Sequence, residues 1–230
     1  MNFTTIFPHF IAEGSSGVIT YFNQSNFSGQ LIVLALIIFS LVAWTVMIGK
    51  YLELKKINEQ NDLVNSTFEK NGSVLSMKVT NGPFSNMIQA AIGAYSSTRA
   101  LENGEKGRSL LLTQVENALQ RQIAKESAAY ESKMVMLGSI LSGAPFLGLL
   151  GTVWGVMDAF GGMAEQSNMS LQSLAPGVSG ALLTTVAALL VAIPSVFGYN
   201  FLASRTKQMI IELENFASAL MDEMELELNQ

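Results

Sequence analysis

Three threonines are the side chains of this sequence whose type and setting suggest chemistry. Thr152 stands within Gly151-Thr152-Val153-Trp154-Gly155, and Thr184 and Thr185 are adjacent in a stretch of Ala, Leu and Val. Neutral hydroxyls in such apolar, small-residue segments can line a wet path without the cost of a buried charge. They can also bond the carbonyl one turn back and do nothing further. Asp158 follows Thr152 by six residues, about 9 Å along a helix, which puts it near the rim of its segment. It reads either as an ion-attracting group at a pore mouth or as an interfacial carboxylate in water. No catalytic constellation accompanies these residues. The hydroxyls have no His or Lys base in the apolar segments, no carboxylate pair sits there at helical spacing, and no Gly-rich loop joins a strand to a helix. The chain has no cysteine and a single histidine, His9, so thiolate and histidine-cluster metal sites are excluded. The expectation is a protein that is not an enzyme and has neither cofactor nor metal.

The elements that must position these threonines are set by the distribution of charge. Only 13% of residues are charged, against 49% hydrophobic, about half the charged share of an ordinary soluble domain. No basic patch is dense enough to suggest nucleic acid. All 13 Lys and Arg fall either between Lys50 and Lys133 or at Arg205 and Lys207, and residues 1–49 and 134–204 have none. The uncharged run Leu31–Gly49 is long enough to approach the roughly 20 residues needed to cross a bilayer. A cleavable signal peptide does not fit it, because no positive region precedes it. Two more spans are expected at 134–163 and 179–203. Both are rich in Gly, Ala, Ser and Thr, and they contain Pro145 and Pro194. Gly148, Gly151 and Gly155 form a small-residue face on which another helix can approach closely. The lysines just after the first span make that end cytoplasmic.

The predicted order is a periplasmic or interfacial segment over 1–30, a transmembrane helix over 31–51 and a cytoplasmic helical domain over 52–133. A transmembrane helix over 134–163, an outer loop over 164–178, a transmembrane helix over 179–203 and a cytoplasmic helix over 204–230 complete it. The fold class is thus all-α, with three transmembrane helices and long helical cytoplasmic extensions. Within 52–133, helices are predicted at 84–101 and from Gly107 onward, the latter running without a breaker into the second span. Asn71, Gly72, Asn81, Gly82 and Pro83 mark a loop. In the tail, Ile210, Leu213, Phe216, Leu220 and Met224 recur at helical spacing. The six carboxylates Glu212, Glu214, Asp222, Glu223, Glu225 and Glu227 read as its solvated face.

The strings APFLGLLGTVWGVMDAF at 144–160 and APGVSGALLTTVAALLVAIPSVFGYN at 175–200 resemble the MotA/TolQ/ExbB ion-channel family, and its TolQ and ExbB branch most. The resemblance covers about the whole chain, although 1–30 and 60–110 match only in character. It implies an inner-membrane motor subunit of a Gram-negative-type bacterium, its N-terminus periplasmic and its C-terminus cytoplasmic. Such subunits form a pentamer around the single spans of a TolR-, ExbD- or MotB-like partner, which carries a membrane aspartate. Ion flow, of protons by the family's habit, is coupled to work at the outer membrane. By motif position Thr152 and Thr185 would face the central pore. One departure stands out: Gly180 occupies the position of a glutamate usual in TolQ and ExbB, and Thr184 that of an alanine. Three alternatives stay open: water beside Gly180 that carries protons, a sodium-driven motor using the Thr184–Thr185 pair, and a non-conducting scaffold for the partner.

Overall fold

The computed structural model describes residues 18–71, 81–98, 104–164 and 171–228, and all of its regular structure is α-helical. The expectations for His9, for the rest of 1–17, for 72–80 and for 165–170 of the outer loop lie outside the described residues. Helix α1 is described over 18–24. It is followed by α2 (Phe27–Asn71), α3 (Pro83–Thr98), α4 (Glu105–Glu131), α5 (Met134–Ala164) and α6 (Leu171–Leu228). Three helical stretches are long and apolar enough to cross a membrane. Only 28%, 33% and 39% of their apolar windows are buried within the chain. Water would penalise so much outward-facing Leu, Ile and Phe, whereas lipid would not.

The chain divides into two units. The first comprises residues 18–47 together with 136–199 as far as they are described. Its α2 segment buries Ile32, Val33, Leu36, Ala43, Val46 and Met47 along one face, while Leu31, Leu34, Ile37, Ile38, Leu41 and Trp44 point outward. Met47 meets α6 at Gly198, and Tyr199 lies over Gly138 of α5. Pro145 and Pro194 lie inside α5 and α6. Near them Ser142 donates to the Gly138 carbonyl at 2.8 Å and Ser195 to that of Val191 at 2.7 Å. Such hydroxyls help to keep polar backbone satisfied in a proline-containing membrane helix.

The second unit comprises residues 48–135 and 200–230, and four helical segments share its core. Phe84, Met87, Ile88 and Ala91 of α3 are buried, as are Leu111, Val115, Leu119 and Ile123 of α4. From α6 come Met209, Leu213, Phe216, Ala217, Leu220 and Met224. These positions recur every three or four residues, as a core-facing helical stripe must. Phe216 stacks on Phe84 with ring centroids 4.0 Å apart and meets Phe68 edge-on at 5.5 Å.

Two expectations are corrected here. The helix from Gly107 does not run unbroken into the second span: α4 stops at Glu131 and α5 begins at Met134. Lys133 between them has a positive φ of 68°, a conformation unfavourable for a side chain with a Cβ. The cause is the Ala129 carbonyl. It accepts the Ser132 hydroxyl at 2.6 Å, the Ser132 amide at 3.2 Å and the ammonium of Lys50 at 3.2 Å. Lys50 is fully buried and pairs with Glu53 at 2.9 Å, and a cation at a helix C-terminus favours termination there. The expected outer loop is also shorter than 164–178, because α6 begins at Leu171 and takes in Pro176. Pro176 is the sixth residue of α6, in its second turn, where it leaves one intrahelical hydrogen bond unmade.

Candidate functional site

In the first unit α5 and α6 run antiparallel in very close contact. A Cβ placed on Gly148 would fall 2.5 Å from Ala188 Cβ, and one on Gly155 would fall 2.6 Å from Ala181 Cβ. One on Gly151 would run into the Thr184 side chain, 2.6 Å from its Cβ. Further out, Gly177 of α6 lies against Ala159 of α5. The small-residue face of α5 is therefore used inside the protomer, against Ala181, Thr184 and Ala188 of α6. The helix expected to approach this face is thus α6 of the same chain.

This close approach brings all three threonines to one atom. The Gly148 carbonyl lies 3.1 Å from Thr184 Oγ1, 3.1 Å from Thr185 Oγ1 and 3.4 Å from Thr152 Oγ1. Each hydroxyl has a single proton to give. Thr152 has a nearer acceptor in the Leu149 carbonyl at 2.8 Å, and Thr184 has one in that of Ala181 at 2.7 Å. Thr185 is thus the hydroxyl best placed to donate to Gly148, from one helix to the next. Thr184 is fully buried, whereas Thr152 and Thr185 are half-buried. Thr184 packs the helix pair, buried against Gly151 of α5. Thr152 and Thr185, on different helices, form the accessible hydroxyl pair. Neither proline joins them.

Gly180 has a different explanation from a vacant, hydrated position. A Cβ there would stand 2.8 Å from the Cα and 2.9 Å from the backbone nitrogen of Ser25. The turn between α1 and α2 fills this space, so the expected water beside Gly180 is replaced by backbone. Asn26 holds that turn in two ways. Its Oδ1 accepts the Gly29 amide at 2.8 Å, which caps the first turn of α2. Its Nδ2 donates to Asp158 Oδ2. Asp158 is exposed at the end of α5 and serves as an anchor for this turn. Sequence reasoning missed Ser25 and Asn26. The Asn at the start of the apolar run was the one local signal for the cap, and nothing local pointed to Gly180 or Asp158.

The profile of the MotA/TolQ/ExbB proton channel family matches residues 98–215. The biopolymer transport protein ExbB of Neisseria meningitidis serogroup A is 30% identical over 194 residues, covering 80% of this chain and 86% of that one. ExbB of Xanthomonas campestris pv. campestris is 30% identical over 226 residues, covering 94% and 87%. The Tol-Pal system protein TolQ of Pseudomonas aeruginosa is 36% identical over 103 residues, 45% of each chain. The family match contains all of α5 and α6 as far as residue 215, and so all three threonines, and the ExbB likeness extends over nearly the full length. With three apolar helices to span the bilayer, this multi-pass inner-membrane protein belongs to the MotA/TolQ/ExbB proton channel family.

Proposed function

We propose that the chain is the channel subunit of an ExbB–ExbD or TolQ–TolR type motor, in which proton flow drives work at the outer membrane. Copies assemble, five by resemblance, around the single spans of a partner. The observation that carries this reading is the pair of half-buried hydroxyls, Thr152 and Thr185, drawn together at the Gly148 carbonyl where small residues let α5 and α6 touch. Asp158 is tied to the α1–α2 turn, and the other carboxylate or amine in the described spans is Lys50, at the end of the first span and paired with Glu53. The charge that changes during transport must then come from the partner, and the threonines supply polar contacts to the ion or its water. The lysine distribution supports a periplasmic N-terminus and a cytoplasmic C-terminus.

The scaffold alternative rests on Gly180, where no carboxylate is present and backbone fills the space. One experiment separates the two readings. Thr152→Val and Thr185→Val keep the shape and remove the hydroxyl, so copurification with the partner should persist while gradient-driven work falls at least about tenfold, the loss of one well-placed polar contact. Thr184→Val should instead lower thermal stability by about 1 kcal/mol and leave transport close to wild type. Full activity in both outer variants would exclude this role. Collapsing proton and sodium gradients separately in the same cells identifies the ion: persistence without sodium and arrest by a protonophore are expected.

A further inference from the structure

One residue pattern recurs where α2 and α6 leave their apolar runs. In α2, Tyr51 is followed by Lys55 four residues on and by Asn58 three further. In α6, Phe201 is followed by Arg205 and Gln208 at the same spacing. Steps of three and four keep each trio on one face of its helix. The two faces line a single groove of about 230 Å³ within the second unit. Tyr51 and Phe201 meet there with ring centroids 6.2 Å apart, which sets the two trios at matching levels. Leu54, Leu202 and Met209 are its buried floor, whereas both rings are 50% exposed.

The charges in the groove indicate an occupant. Lys55 and Arg205 are exposed, and among the described residues neither forms an ion pair with a carboxylate. The Arg205 guanidinium lies 6.0 Å from the centroid of the Phe201 ring, and its contact with Gln208 Oε1 is long at 3.5 Å. Burial, and then the charge of Asp62, raise the Glu212 carboxyl by more than Arg205 lowers it, so no tight ion pair occupies the guanidinium. Two cations thus face one groove without a counter-charge at their own level, and an anion there would be attracted to both. The setting selects the anion. Aromatic rings at the end of a membrane span lie at the level of lipid headgroups, and a basic pocket between spanning helices just beyond them suits an anionic headgroup. The groove holds a phosphate group and a few waters at about 30 Å³ each.

We propose that this groove binds the headgroup of an anionic phospholipid. The Lys55 ammonium and the Arg205 guanidinium donate to its phosphate oxygens, and the Tyr51 and Phe201 rings flank the glycerol and the first acyl carbons. Glu59 and Glu212, further along the groove, repel the phosphate and hold it at the level of the two cations. A zwitterionic lipid offers the same phosphate but brings its own ammonium against Lys55 and Arg205, which gives the preference for a net negative headgroup. Bound lipid ties α2 to α6 within this unit. The inference needs only that both helices span the bilayer, and it stands apart from the channel reading.

The test uses the full-length chain, delipidated in mild detergent and titrated with dioleoylphosphatidylglycerol, dioleoylphosphatidylcholine or inorganic phosphate. Native mass spectrometry counts the lipid retained per chain, and the unfolding midpoint is read in parallel. Phosphatidylglycerol should bind saturably and raise the midpoint, phosphatidylcholine should bind more weakly, and inorganic phosphate should have no effect. Lys55→Gln and Arg205→Gln should each weaken phosphatidylglycerol binding about fivefold, and the double variant about thirtyfold. Lys56→Gln combined with Lys207→Gln removes the same charge from exposed positions outside the groove and should leave binding close to wild type. Arg205→Lys keeps the charge and should keep most of the binding, which separates a lost contact from a lost fold. Equal binding of the two lipids overturns the proposal. So does an equal loss in the two double variants, the mark of a diffuse surface attraction, or a midpoint raised as far by inorganic phosphate, the mark of a free-anion site. A loss in Arg205→Lys as large as in Arg205→Gln also counts against it.

Discussion

A glycine at position 180 is a statement about its neighbour. The backbone of Ser25 occupies the volume in which any side chain would have to start. Gly180→Glu should therefore expel the α1–α2 turn and break the Asn26–Asp158 contact. Gly180→Ala should do so in part, since even a methyl group meets backbone and not a flexible side-chain tip. Limited proteolysis of vesicles carrying each variant should show new cleavage between residues 20 and 30, graded Glu over Ala over wild type. Equal protection of all three would show that the turn does not rest on this glycine. The same reasoning separates the threonines: an identical side chain packs at 184 and is accessible at 185, because successive residues of a helix point about 100° apart.

At the level of elements, the α5–α6 pair behaves as one body. Gly148, Gly151 and Gly155 allow the Thr185 hydroxyl to reach a carbonyl of the other helix, and membrane helices depend on such packing because lipid provides no hydrophobic drive for association. Gly151→Leu should force these helices apart within the protomer. The expected cost is about 3 kcal/mol or more, at the upper end for overpacking. It should appear as a lower melting temperature and poor folding yield, and not as a well-folded monomer released from an oligomer. A monodisperse, thermally normal monomer would contradict this assignment. The α4–α5 break is likewise an element-scale device, since Lys50, the Ser132 hydroxyl and the Ser132 amide satisfy the Ala129 carbonyl that an unbroken helix would use internally.

For the whole molecule, assembly and pH response can be tested. The assembly proposal expects five copies by native mass spectrometry of the detergent-solubilised chain, and a persistent monomer would count against it. The pH response follows from Glu212. Its carboxyl titrates above the usual 4.5 in the folded chain, so folding favours the protonated form. The stability gained is fully present below the unfolded pKa and is lost as pH rises through the folded one. Mild acidification from neutral pH should therefore raise the unfolding midpoint, and Glu212→Gln should flatten that rise. Glu212 is well exposed, so solvent screening keeps the effect small. A midpoint that falls equally in both proteins over this range would show that other groups govern the response.

The sequence by itself determined the three apolar spans, the clustering of positive charge and the small-residue character of the threonine helices. These are local quantities: hydropathy over about 20 residues and the charge beside it are present in the string before anything packs. The helical stripes of the second unit were legible for the same reason. Tertiary structure decided which hydroxyl is free, because the burial of Thr184 depends on Gly151, on another helix. It decided the end of α4, where no Gly or Pro gives warning and the deciding ammonium comes from a lysine 79 residues earlier. It turned Gly180 from a lost carboxylate into a seat for the Ser25 turn. In each case the energy lies in contacts between groups distant in the chain, and their pairing exists only once the helices have packed.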